Sequence, residues 1–119
     1  MLITLRADEK NDKKTFYEMR IDGKLIGFAM TNRDNEIEEG DYKIIISSLR
    51  KYGNKQLPYI VGEERVFTDE QYDDFSIVVG DMYADDFILG SRATLAKIVR
   101  QVINAVDNLE PVELEVTNG

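Results

Sequence analysis

The sequence has no cysteine and no histidine. Without cysteine there is no disulfide framework, no thiolate nucleophile and no Cys/His zinc site. Without histidine the commonest general base near neutral pH is missing, and with it a serine triad. Long apolar runs are lacking too. Nothing approaches the roughly 18 apolar residues of a membrane span and no signal-peptide pattern opens the chain, so a cytoplasmic location is expected. The eight glycines are dispersed, and none forms the G-x-G-x-x-G or G-x-x-x-x-G-K-S/T loops that cradle phosphates. Positive charge is in deficit. The chain carries 15 Lys and Arg against 23 Asp and Glu, net −8, which argues against direct contact with nucleic acid or an anionic membrane.

What is present is enough for a core. With 119 residues, 43% of them apolar, the chain is expected to form one domain spanning 1–119. The charge is unevenly placed. Glu63, Glu64, Asp69, Glu70, Asp73, Asp74, Asp81, Asp85 and Asp86 stand against Arg65 alone, and the rest of the chain is balanced. A weaker basic cluster, Arg50, Lys51 and Lys55, directly precedes this stretch. Three readings are open: a solvated loop that maintains solubility, a recognition surface for the basic face of a host or partner protein, or a calcium site. For calcium, Asp81, Asp85 and Asp86 supply hard oxygen, but the spacing lacks the D-x-D/N-x-D/N-G pattern and its distal Glu. Phe67, Tyr72, Phe75, Tyr83 and Phe87 fall in or beside the same stretch. Phe75 and Phe87 read as core strand residues, and Tyr72 and Tyr83 as exposed anchors of the kind found at interfaces. The candidate partner-binding set is therefore Glu70, Tyr72, Asp73, Asp74, Asp81, Tyr83, Asp85 and Asp86, with no catalytic residue, no metal ligand and no cofactor assigned.

Local patterning predicts mostly strands. Leu2–Arg6 alternates with Ile3 and Leu5 on one face, and 7–14 reads as a charged loop. Thr15–Ile21, Asp22-Gly23 and Lys24–Met30 form a hairpin with a type I′ turn dipeptide. Residues 31–39 are polar. Asp41–Leu49 carries Ile44, Ile45 and Ile46, which suggests a strand covered on both faces. Leu57–Val61 is short and extended, with Pro58 suited to an edge. Phe75–Val79 reads as a core strand, 81–86 as a loop and Phe87–Leu89 as a short strand. Ser91 is placed as the N-cap of a helix running to about Leu109. Its apolar stripe comprises Leu95, Ile98, Val99, Val102, Ile103, Val106 and Leu109. After Pro111, Val112, Leu114 and Val116 alternate with Glu113 and Glu115 as a last strand. The expected fold is α+β: a small curved antiparallel sheet or barrel with one C-terminal amphipathic helix followed by a final strand.

From Phe16 to Val116 the order of segments resembles a family of small, functionally uncharacterised proteins of bacteria and their phages. Members show an early hairpin, a phrase like Ile-Pro-x-Gly-x-Tyr-x-Val, a basic loop before Leu-Pro, a strand Ile-x-Ile-His-x-Gly-Asn, a Gly-Cys-Ile-Leu-x-Gly segment and a helix opened by Ser-Arg. The matching phrases are Ile37-Glu38-Glu39-Gly40-Asp41-Tyr42-Lys43-Ile44, Arg50-Lys51-Tyr52, Leu57-Pro58, Phe75-Ser76-Ile77-Val78-Val79-Gly80-Asp81, Phe87-Ile88-Leu89-Gly90 and Ser91-Arg92-Ala93. The family's His and Cys pairing is similar to that of cell-wall L,D-transpeptidases. Val78 and Phe87 stand in those places, and neither moves a proton nor attacks a carbon. The resemblance therefore implies a pocket turned into core and a non-catalytic, phage- or mobile-element-type interaction protein that occupies or inhibits a basic partner. The alternatives are a degenerate cell-wall hydrolase using paired carboxylates, such as Asp73 or Asp74 with Asp85 or Asp86, and a structural or assembly subunit.

Overall fold

The computed structural model describes residues 1–118. Alternation sets the inward faces: Ile3 and Leu5 in β1 (Leu2–Lys10), Tyr17, Met19 and Ile21 in β2 (Lys14–Ile21), and Ala29 in β3 (Lys24–Asn32) are buried. Asp22 and Gly23 join β2 to β3 with φ of 49° and 84°, positive at both central residues as a type I′ hairpin requires. Then come β4 (Gly40–Ser48), β5 (Gln56–Ile60), β6 (Arg65–Thr68) and β7 (Ile77–Gly80). A short pair, β8 (Met82–Ala84) and β9 (Phe87–Leu89), precedes helix α1 (Ser91–Asp107) and β10 (Glu113–Thr117).

Eight strands close into a barrel in the order β1-β10-β4-β5-β6-β7-β3-β2, and β8-β9 forms a separate two-stranded sheet. The fold is thus mixed α+β, with a closed barrel, a helix and a final strand. Its sheet is not purely antiparallel as expected: β10 runs parallel to β1, and β6 parallel to β7. The first of these pairs the first and last strands, so the whole intervening chain supplies the long connection a parallel pairing needs. The helix lies against β4, β5, β6 and β7. Its buried Leu95, Ile98, Val102 and Ala105 join the barrel interior in one apolar cluster.

Several expectations are corrected. The predicted loop 7–14 is largely strand: after an irregularity between Ala7 and Glu9, β1 goes on to Lys10 because Glu9 and Lys10 pair with Phe16 and Thr15. In β4 only Ile44 is buried, and Ile45, which points to the opposite face, is exposed. In the polar segment 31–39, Ile37 is fully buried and its amide donates to the Tyr17 hydroxyl at 3.2 Å. The apolar stripe of α1 also ends early, with Val106 exposed and Leu109 beyond the helix and 93% exposed. Ser91 is not the N-cap. Gly90 holds that position at φ 73°, a left-handed conformation the tight exit from β9 demands and glycine adopts without a steric penalty.

Candidate functional site

The predicted site residues fall into two groups with different surroundings. The first is the connection between β6 and β7, which carries Glu70, Tyr72, Asp73 and Asp74. It is pinned at many points. The Tyr72 and Asp73 amides donate to the Ser76 hydroxyl at 2.9 and 3.1 Å, and the Asp73 carboxylate accepts from the Phe75 amide at 2.9 Å. The buried Arg65 guanidinium donates to the Phe75 carbonyl at 2.8 Å and the Glu36 carbonyl at 3.3 Å. Tyr72 is not an exposed anchor: it is half-buried, and its ring meets Tyr52 edge-on at 5.1 Å.

Lysines from the β4–β5 connection reach two acids of this segment. Lys51 lies 3.4 Å from Asp73 and Lys55 lies 3.6 Å from Asp69. Burial raises the Asp73 pKa, but the Phe75 amide, Lys51 and Ser76 outweigh it and hold the carboxyl below the usual range. Asp73 is therefore a structural carboxylate. Glu70 and Asp74 remain exposed, and neither has an ion pair among the described residues.

The second group lies on the β8–β9 hairpin, predicted as a loop followed by a strand. Its pairing is Met82 with Leu89, Tyr83 with Ile88 and Ala84 with Phe87, turning at Asp85-Asp86. Side chains of a strand alternate between faces, and the two faces differ sharply. Tyr83 and Ile88 turn toward the barrel and cover Phe16, Met30 and Val78 on its outer wall. Those three form a cross-strand row, Phe16 opposite Met30 and Met30 opposite Val78. Tyr83 stacks on Phe16 at 4.1 Å and meets Phe28 edge-on at 5.1 Å. Its hydroxyl donates to Asp8. Burial, the Asp8 carboxylate and nearby Glu9 together push the phenol well above its ordinary pKa. Val78 is buried beneath the hairpin whereas Phe87 is exposed, so these two positions do not form the shared core that the resemblance implied.

On the other face Met82, Ala84, Phe87 and Leu89 are all exposed, Phe87 at 69%. The expected roles are thus exchanged: Tyr72 and Tyr83 are packed, whereas Phe75 (55% exposed) and Phe87 are out in solvent. The cause is register. Tyr83 and Ile88 oppose each other on the face that fits the Phe16–Met30–Val78 row, so Phe87, one residue from Ile88, must point away. Phe75 precedes β7, which begins at Ile77, and so lies outside the ladder.

Acids stand at both ends of this hairpin. Asp81 stands at the base of the hairpin and Asp85 at its tip, both exposed and without an ion pair among the described residues. Asp86 accepts from the Asn11 side chain at 3.0 Å and lies 3.9 Å from Lys13. Asp8 and Glu9, from β1, flank Tyr83. These two were missed by sequence reasoning, which placed them in a loop remote from Asp81–Asp86. Residues 8–14 are all polar and show no two-residue period, so the sequence held no signal for them. Among the described residues no three carboxylates converge to hold a cation, so the calcium reading has no ligand set.

Nothing among protein-family models, curated proteins or solved structures matches the chain. The motif resemblance gains no support from those comparisons.

Proposed function

We propose that this chain is a non-catalytic binding domain that docks the basic, apolar-bearing face of a host or partner protein on the outer face of its β8–β9 hairpin. The observation that carries this reading is the pair of cross-strand apolar couples, Met82 with Leu89 and Ala84 with Phe87, turned to solvent between Asp81 at the hairpin base and Asp85 and Asp86 at its tip. Two-stranded sheets are marginal alone, and this one is held by its reverse face, so its outer side is free to bind. Exposed apolar area framed by charge is characteristic of interfaces, with an aromatic anchor supplying much of the affinity. The hairpin's acids would accelerate encounter with a cationic surface and would repel nucleic acid and anionic lipid. Against catalysis stand the apolar Val78 and Phe87 where the resembled family carries His and Cys.

The test compares capture of partners from a host lysate by the native chain and by two surface variants, Phe87→Ser and Asp81→Lys/Asp85→Lys. Loss of a central aromatic anchor costs about 2 kcal/mol or more, roughly thirtyfold in affinity. Both variants should lose the captured protein while keeping the native unfolding midpoint, and salt should release it from the native chain. Equal capture by native and variant chains contradicts the reading. Asp73 is left unchanged because its carboxylate holds the β6–β7 connection together.

A further inference from the structure

A second surface has the opposite sign. Only Tyr59–Val66 and Ile60–Arg65 join β5 to β6, and β6 continues along β7 through Phe67 and Thr68. The two strands diverge, leaving the start of β5 without a neighbour on that side. Between this half-strand and α1 lies an open groove of about 650 Å³. Leu57, Leu95 and Val99 supply apolar wall, and Lys55, Arg92 and Arg100 line it as well. The volume falls in the range of small-molecule sites, which combine an apolar lining with a few charged groups.

The lining charges favour an anion. Asp69 is the one carboxylate among the lining residues, and it is turned to Lys55 at 3.6 Å. Arg92 and Arg100 are exposed, and neither has an ion pair or side-chain hydrogen bond among the described residues. In a chain with 23 acids and 15 bases, Lys55, Arg92 and Arg100 against Asp69 give this groove the opposite sign to the chain as a whole. Two helical turns separate them, about 12 Å along the axis. A guanidinium takes a carboxylate or similar oxyanion through two parallel hydrogen bonds, and does so more strongly beside apolar surface than in open water.

We infer that this groove binds an amphipathic organic anion, its apolar chain on Leu57, Leu95 and Val99 and its headgroup held by Arg92 or Arg100. The site is independent of the hairpin and carries the opposite charge.

Isothermal titration of the intact chain with sodium dodecanoate below its micellar concentration tests the assignment. Acetate serves as the headgroup alone and dodecyltrimethylammonium as the chain with reversed charge. Dodecanoate should bind one to one, and both controls at least tenfold more weakly. Arg92→Ala/Arg100→Ala should weaken dodecanoate at least tenfold, and Ala96→Trp, which fills the groove from an exposed helix position, should abolish binding. Phe87→Ser should leave it unchanged, which separates failure here from failure of the hairpin reading. Absence of saturable binding, equal uptake of the cationic detergent, or full affinity in the double arginine variant overturns the inference. So does binding of a Glu-rich peptide in place of dodecanoate, or a groove-dependent dimer by light scattering, since either assigns the groove to a polypeptide.

Discussion

Tyr83 links the exterior of the barrel to the surface proposed to bind. Its ring stacks on Phe16 at 4.1 Å and its hydroxyl is tied to Asp8, so truncation removes an aromatic pair and a hydrogen bond together. Tyr83→Ala should cost about 2–3 kcal/mol in urea unfolding, and Tyr83→Phe, which keeps the stack, about 1 kcal/mol or less. Asp73 gives a pH prediction. Despite partial burial, its bonds to the Phe75 amide, Lys51 and Ser76 lower its pKa in the folded chain. A depressed carboxyl adds stability above the unfolded value of about 4, and that stability is lost as pH falls through the folded value. The native unfolding midpoint should therefore fall more steeply than that of Asp73→Asn as pH is lowered from about 5 to 2. Equal slopes would mean that the loop does not depend on this carboxylate. At this scale the sequence was legible where side chains alternate in a long strand, as at Ile3, Leu5, Leu114 and Val116, all buried as expected. It was not legible at Tyr83 and Phe87. Both are large and aromatic, and only the docking of a short hairpin decides which of them faces the wall.

The hairpin depends on how closely its elements approach. A Cβ at Gly80 would collide with the Leu89 carbonyl and the Ile88 side chain, so glycine there allows β9 to cross the end of β7. Gly80→Ala should cost about 1–3 kcal/mol and should raise amide exchange selectively in Met82–Leu89, where a uniform rise across the barrel would show that the cost lies elsewhere. Among elements, the β2–β3 hairpin and β10 were readable because a turn dipeptide or a clean two-residue period marks them. The strand β8 was not: three residues are too few to show a period, and they sit between acids that look like a loop. The helix was readable along Leu95, Ile98 and Val102, which face the barrel. Its ends were not, because Leu109 continues the apolar spacing after the chain has left the helix with φ of 58°.

At the scale of the whole molecule, closure of the barrel decides how charge is distributed. Counted along the chain, the acids from Glu63 to Asp86 form a single block. In space, Lys51 and Lys55 pair with Asp73 and Asp69 in its first half, while Asp8 and Glu9 approach Tyr83 in the second from a distant strand. The basic groove beside α1 adds a face of the other sign. No local count could show this, since it depends on β1 pairing with β2 as far as Lys10 and on the β4–β5 connection folding toward the acidic loop. Among the described residues no helix is long and apolar enough to cross a membrane.

The most direct measurement of where a partner binds is photo-crosslinking from two positions: benzoylphenylalanine in place of Phe87 on the hairpin, and in place of Leu109, which is more exposed still. Adducts from position 87 that are absent from position 109 and diminish as salt is raised are the predicted result. Adducts of equal yield from both positions, or none from position 87, would contradict the account.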